Sequence, residues 1–258
     1  MERTCARAVE LGLPSVAFTE HADFEPLVVP PEAVLPDYWL HLVSGGVLTP
    51  PALDVDGYLA CLERCRERYP HLRIHSGVEL SEPHWDAERT DLLLDHGSFD
   101  RVLGSVHAGV LGDGSGRTEI GVLFARQPAE QVVRDYLAEV ERMVVGYPGF
   151  DVLAHIDYAV RYWPGQAAPY NPRDFQDDYR GVLSALAAAG KVLEVNTRVP
   201  LHLDVIRWWH DEGGESITFA SDAHEPDDLA AGFADAIGLA EAAGFRAGQD
   251  PWDHWFRT

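Results

Sequence analysis

Apolar residues along this chain fall into two alternating patterns. Short apolar runs bounded by turn residues read as buried strands. They are Ser15-Val-Ala-Phe-Thr-Glu-His21, Ile74-His-Ser-Gly-Val-Glu79, Val102-Leu-Gly-Ser-Val-His107, Val152-Leu-Ala-His155, Val192-Leu-Glu-Val-Asn-Thr197 and Ile217-Thr-Phe-Ala-Ser-Asp222-Ala-His224. Between them lie stretches with an apolar period near 3.6. Residues 129–145 carry Val132, Val133, Tyr136, Leu137, Val140, Met143 and Val144; residues 178–189 carry Tyr179, Val182, Leu183 and Leu186, stopped by Gly190. Residues 227–243 place Leu229, Phe233, Ile237 and Ala240 on one stripe, with Gly244 at a C′ position. Shorter helices fit 2–12, 56–68, 84–95 and 201–212. Strand and helix alternating over the whole length predict one α/β domain, residues 1–258, with a parallel sheet covered by helices.

Two segments break the alternation. Residues 24–52 hold six prolines and the pair Gly45-Gly46 directly after the His21 strand, which reads as a long irregular loop covering the strand-end face. Gly112-Asp-Gly-Ser-Gly-Arg117 resembles a phosphate loop only superficially. It lacks the Gly-Lys-Ser/Thr ending, so a turn is expected.

Composition narrows the function classes. With 258 residues, 46% hydrophobic and 24% charged, the chain is an ordinary globular one. A formal charge of −22 argues against a nucleic-acid-binding surface. Lys191 is the single lysine among 20 basic residues, so arginines must supply any local positive charge. No signal peptide and no 18-residue apolar run is visible, and a cytoplasmic chain without a membrane partner is expected. Three cysteines cannot all pair; Cys61 and Cys65 share a helix face, where apolar packing is favoured over a metal clip.

The chemistry concentrates where the strands stop. Five of the apolar runs end on His21, Glu79, His107, His155, and Asp222 with His224; the sixth carries Glu194 and Asn196 and is followed by Arg198. Active sites of α/β barrels gather at the C-terminal ends of their strands. A lone histidine there is more often a hydrogen-bonded core residue than a ligand. Six imidazoles and carboxylates at matching strand ends would be costly to bury unpaired, and they form the donor set for zinc, iron or manganese. Spreading donors over many strands suits a polynuclear centre for phosphoryl transfer. The remaining histidines sit at unmatched positions; His75, four residues before Glu79, is the nearest rival.

Thr19-Glu-His-Ala-Asp23, Gly77-Val-Glu79, Gly104-Ser-Val-His107, His155-Ile-Asp-Tyr158, Glu194-Val-Asn-Thr197 and Ser221-Asp-Ala-His224 occur in the order of the PHP (polymerase and histidinol phosphatase) superfamily. The set resembles its histidinol-phosphatase branch over nearly the whole chain. The resemblance implies a distorted seven-stranded (β/α) barrel, up to three divalent ions (Zn, Mn or Fe), and hydrolysis of a small phosphomonoester by a metal-bound water in histidine biosynthesis. It implies that Glu79 bridges two ions, that Asp222 completes one and His107 and His155 the other, and that His21 and His224 hold a third. Arg161 and Arg198 are the local positive charges aimed at a substrate phosphate; no residue is assigned as catalytic.

The departure is at the front. The family opens with a strand ending in His-x-His, whereas Met1 to Leu13 match the helix that follows it, so the first strand and three ligands are expected to be missing. Three readings follow: a complete phosphatase read from an internal methionine, a weakened hydrolase with one or two ions, or a metal-binding or regulatory relic with little turnover. Neither the phosphate ester nor the oligomeric state is legible.

Overall fold

The computed structural model describes the backbone of residues 1–258 and every side chain except those of Asp37 and Tyr38. Eight strands form its main sheet: β1 (Ser15–Ala22), β2 (Arg73–Ser81), β3 (Arg101–Ser105), β4 (Val152–Leu153), β5 (Val192–Asn196), β6 (Ser216–Ala220), β7 (Phe245–Ala247) and β8 (Trp255–Arg257). Their order across the sheet is β1-β2-β3-β4-β5-β6-β8-β7. The first six are mutually parallel, while β8 runs antiparallel to both β6 and β7. After its first residue β2 is buried at every position, as expected of a parallel strand covered on both faces. Gly77 has no side chain for a packing reason. A Cβ there would lie 2.8 Å from the Phe18 carbonyl oxygen of β1.

Seven helices of nine or more residues flank the sheet: α1 (Glu2–Glu10), α2 (Val55–Arg68), α3 (Ala87–His96), α4 (Ala129–Gly146), α5 (Gln176–Ala188), α6 (Leu203–Asp211) and α7 (Phe233–Ala242). The stripe expected on α4 is buried in full, from Val132 to Val144, and joins Tyr179, Val182, Leu183 and Leu186 of α5 in the larger core. A second core packs Cys5 and Ala8 of α1 on Leu62 and Cys65 of α2 and on Val16 and Ile74 beneath them.

The sheet curls. β1 and β6 are five places apart, which in a flat sheet is about 24 Å at the usual strand spacing. Yet the His21 ring, in β1, lies 6.0 Å from that of His224, just past β6. Leu229, from the loop after β6, packs into the α1 core, and the Arg73 guanidinium lies over the Trp252 ring at 4.8 Å. The result is an open, distorted barrel whose parallel strand ends converge on one side.

Several local expectations change. The strand expected to end on His107 stops at Ser105. Residues 108–110 instead pair with 117–119 in a hairpin, and the glycine-rich 112–116 is its turn. The stripe at 227–243 is helical only from Phe233, because Ala230 and Gly232 adopt left-handed backbone (φ +58° and +76°). The antiparallel pair β7–β8 had no clear signal, since each strand is three residues long. Residues 24–52 are not irregular throughout. Strands 27–28, 43–44 and 47–48 make a small antiparallel sheet. It is fastened to its surroundings by arginines: Arg117 to Glu25 at 3.3 Å, Arg126 to Glu32 at 2.5 Å, and Arg89 against the Phe24 ring at 4.7 Å.

One charged residue of α4 is anchored in the interior. Glu139 accepts from His84 Nε2 at 2.6 Å, from the Trp85 indole at 2.7 Å and from Arg142 Nε at 2.9 Å. Burial works against its charge, but the bonds from His84, Arg142 and Trp85 win and hold the carboxyl at about 2. Its contribution is therefore present in full above the ordinary carboxylate value and is lost as pH falls toward 2. Glu139→Gln is expected to cost about 1–3 kcal/mol at neutral pH, because one neutral amide cannot satisfy all these donors. Urea unfolding from pH 7 to pH 3 should show a smaller loss for the variant than for the native chain; identical slopes would contradict the assignment.

Candidate metal centre

Register brings the first two candidate ligands together. β1 and β2 align His21 directly with Glu79, and strand alternation turns both side chains to one face. His21 Nδ1 lies 3.9 Å from Glu79 Oε2. From the other side of Glu79 come His107, two residues past β3, and His155, two residues past β4. Glu79 Oε1 is 2.8 Å from His155 Nε2 and 3.2 Å from His107 Nε2, and those two nitrogens are 3.2 Å apart.

This triangle suits a divalent cation. Around an ion at about 2.1 Å from each donor, tetrahedral ligand atoms are separated by about 3.4 Å. Two imidazole nitrogens and a carboxylate oxygen facing one another inside the protein are the donor types of zinc, manganese and iron sites. Among the described residues, two sets of three or more candidate ligands are close enough to share an ion, Glu79/His107/His155 and His21/Asp23/His107. Neither includes a cysteine, and Cys5, Cys61 and Cys65 are free thiols.

Electrostatics support the grouping. Burial alone would raise the Glu79 carboxyl; the charge of His21 and the His107 and His155 imidazoles set against it reverse this and hold it well below its ordinary value. Glu79 in turn raises His21, helped by Asp23, Asp222 and Glu20, against the opposing effect of burial. Behind the donors stand three buried carboxyls raised chiefly by burial: Glu82 to about 7, Glu194 to about 7 and Asp157 to about 6. Glu194 accepts from the His155 backbone N–H at 3.2 Å and from Asn196 at 2.9 Å. Glu82 accepts from the Ala108 backbone N–H at 2.8 Å and from that of His107.

The other predicted residues form an outer layer. His224 lies beside His21, and its Nδ1 is 3.6 Å from Asp222 Oδ1. Among the described residues, Asp222 belongs to neither candidate set. Its carboxylate is taken by the Arg161 guanidinium at 2.5 Å, and its backbone oxygen accepts from Arg198 at 3.0 Å. Arg161 also lies over the Tyr158 ring, whose centroid is 4.8 Å from that of His107 and 5.0 Å from that of His155. The two arginines thus stand one residue layer from the donors. His75, the rival histidine, lies in β2 beside Ala17, outside both candidate sets; burial lowers its pKa.

Asp23, Ser81, Glu82, Tyr158 and Glu119, which accepts from the Tyr158 hydroxyl at 2.9 Å, were not among the expected site residues. Strand periodicity does mark two of them: Asp23 follows His21, and Ser81 follows Glu79, by one two-residue step. Backbone conformation marks others. Glu82 and Asp222 are two of the three non-glycine residues with positive φ (+45° and +50°), a strained conformation that clusters at functional sites.

Known proteins share this fold and parts of this sequence. The PHP domain family matches residues 1–198. The probable histidinol-phosphatase of Clostridium acetobutylicum is 26% identical over 195 residues, covering 73% of this chain and 73% of that protein. The histidinol-phosphatase of Lactococcus lactis subsp. lactis is 25% identical over 228 residues, 84% of this chain and 75% of that one. A crystal structure of histidinol phosphate phosphatase from Lactococcus lactis, complexed with zinc, L-histidinol and phosphate, superposes with a TM-score of 0.79 at 23% identity. It covers 95% of this chain and 87% of its own, and the likeness speaks to the fold.

If the Glu79/His107/His155 triangle is the tightest site, removing one donor should empty it first. His107→Ala is expected to weaken zinc binding by roughly 100-fold or more, since even outer hydrogen-bond partners of a ligand are worth 10–100-fold. Metal content after dialysis, measured by plasma mass spectrometry per mole of folded protein, checks this. Unchanged content would reject the assignment.

Proposed function

This chain belongs to the PHP domain family, and on that premise we propose that it is a metal-dependent phosphatase for small phosphomonoesters, with histidinol phosphate the leading substrate. The observation that carries the reading is the buried Glu79/His107/His155 triangle with two arginines beside it. One relative reported above is a histidinol-phosphatase and the other a probable one, which supports the same substrate class. The assigned metal ligands are His21, Glu79, His107, His155, Asp222 and His224, with zinc, manganese or iron as the ion.

Bound there, divalent ions would supply an acidified water as nucleophile and neutralise charge on the phosphoryl oxygens. The rest falls to the chain itself. Arg161 and Arg198 converge on Asp222, one on its carboxylate and one on its carbonyl. An incoming phosphate dianion competes with Asp222 for Arg161, and the planar guanidinium can hold two of its oxygens at once. The Tyr158 ring under Arg161 shields that exchange from solvent on one side. Histidinol carries cationic nitrogens, which suits a protein with a formal charge of −22 and Glu20, Asp23 and Glu25 at the end of β1. We place the protein in the cytoplasm, where its three free thiols stay reduced; among the described residues no helix is long and apolar enough to cross a membrane.

One observation favours a second reading, a metal-binding member with little turnover. Asp222, which the family order assigns to an ion, is engaged by Arg161 instead. Turnover decides between the two. A panel of phosphomonoesters assayed with zinc, manganese and iron should show hydrolysis with histidinol phosphate among the best substrates. Arg161→Ala should raise KM about 10- to 100-fold, the equivalent of one charge-assisted contact of about 1.5–3 kcal/mol. Stoichiometric metal with no hydrolysis of any ester would establish the second reading.

A further inference from the structure

Ser81 stands between two groups of unlike chemistry. Its Oγ is 2.9 Å from His107 Nδ1 and in close contact with Asp23 Oδ1. Strand pairing builds this arrangement. β1 and β2 stay in register through Ala22 and Leu80, so the next residues of the two chains, Asp23 and Ser81, meet side by side. The strands that present His21 and Glu79 therefore present Asp23 and Ser81 one pleat further along.

A serine hydroxyl has one proton and two lone pairs, and an ionised carboxylate can only accept. The Ser81 proton therefore goes to Asp23, and the Ser81 oxygen must accept from Nδ1–H of His107. That direction fixes the imidazole as the Nδ1–H tautomer. The Nε2 lone pair is left facing Glu79 Oε1 and His155 Nε2, each 3.2 Å away. The backbone of His107 is held as well, because Glu82 accepts from its N–H and from that of Ala108. His155 has only the backbone half of this support: Glu194 accepts from its N–H, and among the described residues its buried Nδ1 has no hydrogen-bond partner. Of the two imidazoles in the triangle, His107 is the one also held through its Nδ1.

We propose that Asp23 and Ser81 are positioning residues, a carboxylate–hydroxyl–imidazole relay that sets the tautomer and ring orientation of His107 for a divalent ion. The proposal rests on the metal-centre reading above. It also explains the second set of candidate ligands, His21/Asp23/His107. With Nδ1 committed to Ser81, Asp23 acts through His107 and is not the ligand of a separate ion. Partners of this kind are worth 10–100-fold in metal affinity.

Zinc affinity of the full chain, measured by competition with a chromophoric chelator, tests it in the native protein, Ser81→Ala, Ser81→Thr and Asp23→Ala. Ser81→Ala should bind zinc at least 10-fold more weakly with an unchanged melting temperature of the metal-free form. Ser81→Thr keeps the hydroxyl and should restore affinity to within about 3-fold of native, which a merely structural role would not require. Histidine-ring nitrogen NMR of the metal-free protein should show His107 as the Nδ1–H tautomer, and Ser81→Ala should lose that preference. Native-like zinc affinity in Ser81→Ala overturns the relay while leaving the metal centre standing. A drop in zinc stoichiometry, at unchanged affinity, in Asp23→Ala would make Asp23 a ligand and overturn it too. A native chain that binds no zinc fails the metal-centre reading itself, whatever the NMR result.

Discussion

A carboxylate buried at the meeting point of four chain segments constrains everything around it. Removing a charged carboxylate from water costs several kcal/mol unless partners offset it. Glu79 is surrounded by His21 from β1, His107 beyond β3 and His155 beyond β4. Those partners come from both neighbours of β2 and from the strand after, so the sheet has to bend inward over the carboxylate. The same convergence creates a concentrated negative centre that a divalent cation can occupy. Fold and site are therefore one solution to one electrostatic problem.

Around that centre the protein arranges charge in layers. Next to the imidazoles lie three buried carboxyls, Glu82, Glu194 and Asp157, whose pKa values burial raises. Outside them Arg161 and Arg198 hold Asp222. The sequence has very few cations to spare against 42 acidic residues, so the placement of two arginines here stands out against the overall charge.

Much of this could be read before any coordinates. Helix α4 carries an unbroken 3.6-residue stripe, and every member of it is buried. The parallel strands were visible because burial on both faces leaves long apolar runs, as in β2. Each run stopped on a donor at the strand-end side, so the grouping of His21, Glu79, His107 and His155 followed from topology. What could not be read depended on backbone choices that composition does not encode. The stripe at 227–243 survived in sequence although left-handed residues at 230 and 232 delay the helix. Asp222 looked equivalent to the other donors, and only the folded neighbourhood turns it to Arg161. Asp23 and Ser81 were marked by the two-residue period, but their significance required the register of β1 on β2.

The segment 24–52 begins immediately after Asp23 and enters its small sheet at Leu27, and the hairpin it packs on begins immediately after His107. Its ionic fastenings are Arg117–Glu25 and Arg126–Glu32, pairs whose members are about a third to a half exposed. At 0.1 M salt, charges are screened over about 10 Å, and exposed pairs of this kind contribute about 1 kcal/mol or less each. The segment is thus held by two kinds of contact: ion pairs that the surrounding electrolyte can loosen, and the apolar packing of Phe24 and Val28 on the main core. Ionic strength therefore acts on one half of that attachment and leaves the apolar half unchanged.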